Sequence, residues 1–186
     1  MMDIEKLVQV VNYVLKKYDS RLNYTKLIKI LYLADKKAIE ISNLSITGDT
    51  YVSMNKGPVL SGLFDLLKGR EINKEYQCLW DSRFTTDSYD LVSLSDRIPE
   101  GKLSRFEKRI LDEVDAEHHS KDFGQLVDYV HKNCPEWEDP GNTSTPITMA
   151  AILSAVGRDH AEIDYILEEE KSYNNEEKLL ASLTEE

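Results

Sequence analysis

Apolar positions along the first forty residues recur at the spacing of helical faces. Ile4, Leu7, Val8, Val11, Val14, Leu15 and Tyr18 fall on one stripe, which predicts an amphipathic helix ended by Asp19-Ser20. Asn23 then offers a side-chain oxygen to the free amides of a second helix over residues 24–42. There Leu27, Leu31, Ala34, Ala38 and Ile41 form one stripe, and Ile28, Ile30, Leu33 and Ile39 widen it far beyond a single face. A helix so nearly surrounded by apolar positions is predicted to be the central one. Lys26, Lys29, Lys36, Lys37 and Glu40 are expected to mark its wet side.

Past Ser42 the pattern breaks into shorter pieces. Thr47-Gly48-Asp49 is turn chemistry, and Tyr51–Met54 suits a short extended segment. Pro58 is expected at the first position of a helix whose apolar face is Leu60, Leu63, Phe64 and Leu67 and which Gly69 ends. Over residues 76–95 the period shortens to two. Tyr76, Cys78 and Trp80 alternate with Gln77, Leu79 and Asp81, and Tyr89 and Leu91 alternate again after Thr85–Ser88, which predicts a β-hairpin. Ser104 and Glu107 make a capping box for a helix through Phe106, Ile110, Leu111 and Val114. Asp122 caps the next, with Phe123, Leu126, Val127 and Val130 inside and Pro135 as its stop. Thr145 and Pro146 are expected to open a short apolar helix ended by Gly157, and Asp159 to cap the last. That helix is apolar at Ile163, Ile166 and Leu167 and then polar all round, so its final dozen residues are expected to fray or to await a partner. The predicted fold is mainly α, a single compact domain of about seven helices with a small antiparallel β-hairpin. Residues 1–157 would form its body, and 158–186 an acidic helix and tail packed on it or extending from it.

Composition narrows the class. Among 186 residues there are 8 Gly and 5 Pro, too few for long disorder or low complexity. No window reaches the ~18 uncharged apolar residues of a membrane span, and Asp3, Glu5 and Lys6 interrupt what would be a leader, so a cytoplasmic protein is expected. Cys78 and Cys134 have neither a disulfide framework nor zinc spacing and are read as small core hydrophobes in a reducing compartment. The net charge of −11 has the wrong sign for a nonspecific nucleic-acid binder. It is also uneven: +3 over residues 1–60, −4 over 61–135 and −10 over 136–186. An acidic tail facing a mildly basic front implies pairing within the chain or a basic partner.

Local chemistry adds little. His118 and His119 point about 100° apart on a helix and do not share a metal face simply. His131 and Cys134 have the spacing of a chelating or nucleophilic pair, but no second ligand pair matches them and Pro135 at the helix end explains Cys134 as well. Gly57 and Gly62 lack the Gly-Lys-Ser/Thr ending of a phosphate loop. The lysines of helix two are a solvated face or a strip for a partner or anion.

A longer constellation carries more. Thr25–Asp35, read TKLIKILYLAD, resembles the KL-x-K-x-LY-x-AD helix of the Panacea domain, the SocA-like antitoxin family, through Lys26, Leu27, Leu31, Tyr32 and Asp35. Ile46–Tyr51 resembles its ITGD-x-Y turn through Gly48, Asp49 and Tyr51, and Gly57-Pro58-Val59 its GPV helix start. His131–Trp137 is similar to the later His/Trp element, with Pro146-Ile147 where a helix follows, and the resemblance extends over residues 3–157.

The resemblance implies a non-enzymatic bacterial or phage antitoxin, without cofactor or metal, that binds a protein toxin encoded beside it. Family members pair with unrelated toxins, so the toxin is not named by the domain. The alternatives it leaves are an adaptor delivering its bound protein to a ClpXP-type protease through a protease chaperone, and a phage-encoded inhibitor of a host defence protein. Some relatives add a DNA-binding helix-turn-helix; here the chain starts at helix one and the tail is acidic, so direct DNA binding is not expected. Of the motif residues, Leu27, Leu31 and Ala34 are expected in the core, and Tyr32, Asp35, Tyr51 and His131 could hydrogen-bond one another inside the domain. Alternatively Tyr51, Asn55 and Lys56 flank an exposed loop that touches the toxin. Trp137 suits packing or an interface anchor equally.

Overall fold

The structure is a computed structural model and describes residues 2–70, 73–95 and 97–184. The last two positions of the expected tail lie outside the described residues. Helix α1 (Ile4–Leu15) is capped by Asp3, whose carboxylate accepts from the Glu5 and Lys6 amides, and runs into a 3₁₀ turn (Lys16–Tyr18). The left-handed pair Asp19 and Ser20 ends it. Strand β1 (Arg21–Asn23) follows, and Asn23 caps α2 (Tyr24–Ser42) by accepting from the Thr25 and Lys26 amides. With 19 residues, α2 is about 28 Å long. It is buried along nearly its whole length and packs on helices α5 (Arg105–His118), α6 (Phe123–Asn133) and α7 (Met149–Ala155). This is the central helix its apolar pattern predicts.

Two small antiparallel sheets flank that core. In the first the order is β1–β5–β4, with β4 (Phe84–Asp87) and β5 (Asp90–Ser93) forming a tight hairpin. In the second, β2 (Tyr51–Met54) lies between β3 (Gly57–Leu60) and β6 (Thr145–Ile147), pairing Ser53 with Pro58 and Val52 with Pro146. Helices α3 (Ser61–Leu67), α4 (Lys74–Asp81) and α8 (His160–Thr184) complete the chain. Among the described residues there are thus eight α-helices and two three-stranded sheets, more β structure than the single hairpin expected.

The differences have local causes. Residues 76–80 are helical: Asn73 accepts from the Glu75 and Tyr76 amides, and Tyr76, Leu79 and Trp80 share the buried side of α4 while Cys78 is exposed. Cys78 is therefore not a core residue, whereas Cys134 is. The alternation of Tyr76, Cys78 and Trp80 was too short to separate a strand from a helix. Pro58 and Pro146 do not open helices. Each sits on an edge strand of the second sheet, where a missing N–H need leave no ladder bond broken. The helices start three residues later, α3 at Ser61 and α7 behind Thr148, whose hydroxyl accepts from the Ala151 amide at 3.1 Å. The capping boxes of Ser104 with Glu107 and Asp122 with Gln125 are formed, and Asp159 makes the same exchange with Glu162.

Candidate functional site

One side of α2 faces β2, β3 and the segment after α6, and a polar seam runs along that junction. At its centre Asp35 is fully buried. Its carboxylate accepts from the Ile46 amide at 2.8 Å, the Thr47 amide at 3.0 Å, the Tyr51 hydroxyl at 2.9 Å and the Thr47 hydroxyl. Burial pushes its pKa up to about 6 against the pull of these donors. Asp35 thereby fastens the turn before β2 onto the central helix. Asp49 continues the device: its carboxylate accepts from the Gly62 and Leu63 amides at 2.9 Å and so caps α3 from thirteen residues away. Gly48 takes the left-handed conformation the turn requires, with φ of 64°.

Tyr32 lies one turn from Asp35. Its hydroxyl donates to Glu136 at 2.5 Å, and its ring meets Tyr51 edge-on at 5.6 Å. Glu136, with its side chain wholly buried, also receives Lys36 at 2.8 Å. Lys36 is therefore mostly shielded rather than on a wet face. The correction is larger for Lys29, which is 1% exposed and donates to the Pro58 carbonyl at 2.7 Å. Burial lowers its pKa to about 7. Lys26 is buried as well and donates to the His119 carbonyl at 2.6 Å. Of the five positions expected to be wet, Glu40 is exposed and Lys37 partly so, pairing with Glu113 at 2.9 Å, while the three other lysines are enclosed; that signal stood in Ile28 and Ile30 beside Lys29.

The β2–β3 hairpin is braced from beneath and from the side. Gly57 has φ of 99°, and an added Cβ would stand 2.6 Å from Val130 Cγ2 and 3.3 Å from Lys29 Nζ. Trp137 donates from Nε1 to the Met54 carbonyl at 2.9 Å and stacks on His131 with ring centroids 4.0 Å apart. His131 thus packs against Trp137 instead of joining Tyr32, Asp35 and Tyr51, and its Nε2 is buried without a hydrogen-bond partner. Burial, helped by the nearby Lys29 charge, holds its pKa below the ordinary 6.5. Cys134 is buried alongside, and burial first, then the Glu136 charge, pushes its thiol up to about 12. It is held as the thiol, not the nucleophilic thiolate. Among the described residues no group of three or more His, Cys, Asp or Glu is arranged to hold a metal ion.

The sequence-derived residues therefore separate into two sets. Lys26, Leu27, Leu31, Tyr32, Asp35, Asp49, Tyr51, Gly57, Pro58 and Val59 are buried, and Gly48, His131 and Trp137 partly so. Tyr51, at 5% exposed, is not available on the surface as a contact residue. Asn55 and Lys56 form the exposed tip of the β2–β3 hairpin. Glu136, Lys36, Thr47 and Lys29 belong to the seam although the sequence did not single them out for it. Their roles depend on partners up to 104 positions away.

The seam falls within one stretch of chain. A family model described as "Antitoxin SocA-like, Panacea domain" matches residues 27–138, more than half of the sequence. No curated protein and no solved structure matches the chain.

Proposed function

The chain belongs to the SocA-like antitoxin family with its Panacea domain, and from that membership we propose that it neutralises a cognate protein toxin by binding it directly. The observation that carries this reading is where the polar groups of the matched region are spent. Asp35, Asp49, Tyr32, Glu136 and Lys29 all hold the turn, hairpin and α3 against the central helix. Their bonds are internal, and they brace a hairpin whose tip, Asn55 and Lys56, is exposed. A loop positioned by a rigid scaffold suits recognition.

Action by stoichiometric binding rather than turnover fits the same chemistry. The Cys134 thiol is held protonated, and Asp35 is enclosed by its donors. Trp137 is half-buried beside the hairpin and anchors it, which leaves Asn55 and Lys56 as the residues presented to the toxin. Complementary charge makes a basic toxin the better partner for a chain of net charge −11.

Co-expression with the protein encoded next to this chain tests the proposal. Rescue of growth together with a stable co-purified complex is the expected result. A toxic neighbour that the chain does not rescue overturns it, and rescue without a complex moves the reading to a protease adaptor. Asn55→Lys, which sets a second positive charge at the exposed tip against a basic toxin, should weaken the complex while leaving the thermal melt unchanged.

A further inference from the structure

A second surface lies away from the hairpin, where the C-terminal end of α2 meets α8. A groove of ≈720 Å³ opens there. Leu44, 68% exposed, and Tyr165, 61% exposed, stand as its apolar walls, with the half-buried Ile166 between them. Glu168, Glu169 and Glu170 line the same groove, and among the described residues its lining includes no Lys or Arg; Arg158 behind it is taken up by the Glu40 carbonyl and the Asn43 side chain. From Asp159 to Glu170 the chain carries six carboxylates and no Lys or Arg. Large apolar side chains left in water beside a one-sided charge mark an interaction surface.

We propose that this groove docks a cationic amphipathic helix of the partner protein, with apolar residues between Leu44 and Tyr165 and Lys or Arg against Glu168–Glu170. The inference rests on the reading of the chain as a partner-binding protein and names a place where the partner sits. Charge decides the sign of the occupant: three clustered carboxylates repel an acidic segment and attract a basic one. The backbone decides its form. The groove is walled by helix α8 and by the capped end of α2, whose Asn43 amide is already bonded to the Ile39 carbonyl. Among the described residues no strand edge borders it to pair with an extended peptide, which favours an occupant that satisfies its own backbone, as a helix does. The charged wall also lies beyond residues 27–138, which the family model matches.

The probe is a synthetic peptide with leucine on one face and lysine on the other, and its counterpart with glutamate for lysine, titrated into the isotope-labelled full chain by NMR. Saturable shifts centred on Leu44, Tyr165 and Ile166 are expected with the lysine peptide. The binding should weaken with salt and fall about tenfold in Leu44→Glu and in the combined Glu168→Lys, Glu169→Lys, Glu170→Lys variant. These side chains are exposed, so unchanged melts are the control for folding. Equal binding of the two peptides, shifts elsewhere, unaltered affinity in the variants, or a dimer of the chain that Leu44→Glu dissociates would each overturn the proposal. The same variants are then co-expressed with the neighbouring gene product. If the wild type rescues and forms a complex but Leu44→Glu does so equally well, the groove fails and the antitoxin reading stands. If the wild type fails to rescue, the antitoxin reading fails, and the peptide titration still decides the groove.

Discussion

Asp35 and Lys29 are two buried charges on one helix, six residues apart, and they respond to pH in opposite senses. The folded-state pKa of Asp35 is raised, from 3.8 to about 6, so the folded chain holds the extra proton between those values. That contribution to stability is present below 3.8 and lost as pH rises through about 6. Asp35→Asn should therefore fold and flatten the pH dependence of the urea midpoint between about 4 and 6. Asp35→Ala should lose about 2–4 kcal/mol at neutral pH, because the Ile46 and Thr47 amides are left buried without an acceptor. For Lys29 the folded pKa is lowered, from 10.5 to about 7, so the unfolded chain binds the extra proton. Its burial costs stability in full below about 7, and the cost is relieved as pH rises toward 10.5. The stability difference between wild type and Lys29→Met should climb across that window. A flat difference would mean that the ammonium is better solvated than its 1% exposure indicates.

Among the elements, the β2–β3 hairpin is the one most dependent on a single backbone position. Gly57 combines a φ of 99° with the close approach of Val130. Gly57→Ala should cost about 1–3 kcal/mol by denaturant unfolding, from backbone strain and overpacking together. A double-mutant cycle with Val130→Ala should show coupling, since the smaller side chain removes the clash but not the strain. At this scale the sequence was legible where a signal is local. Asn23, Ser104 and Asp122 cap as their spacing indicates because cap and amide lie two or three residues apart. Pro146 was misplaced because its edge strand needs a partner that no local window contains, Val52, ninety-four positions away. Pro58 pairs with Ser53 only five positions away, and there the reading of a helix start passed over a local hairpin.

Over the whole molecule, α8 leaves the core after its first two turns. Ile163 is buried and Ile166 and Leu167 are partly so, while residues 168–172 are exposed. Removing residues 168–186 should leave the thermal midpoint of the remaining domain close to that of the full chain, because Ile163, Ile166 and Leu167 are retained and residues 168–172 are exposed. It should weaken binding of the neighbouring gene product, since it removes the carboxylates of the groove. Full affinity in the truncated chain would assign the partner's contacts to the hairpin tip alone.

The sequence by itself determined the central helix, the main caps, the turn chemistry around Gly48 and, through its motifs, the family. These depend on periodicity and on hydrogen bonds that close within a few residues. The tertiary structure alone decided that Lys29 is a core residue, that Lys36 belongs to Glu136, that residues 74–81 are helical, and that His131 stacks on Trp137 instead of meeting Asp35. The two lysines are placed by what packs against α2 from a distant part of the chain, the helix at 74–81 by the Asn73 cap and the buried side it gives Tyr76, Leu79 and Trp80, and His131 by Trp137 six positions on. A short run with two compatible periods, or a lysine on a helix, carries no record of its neighbour until the fold supplies one.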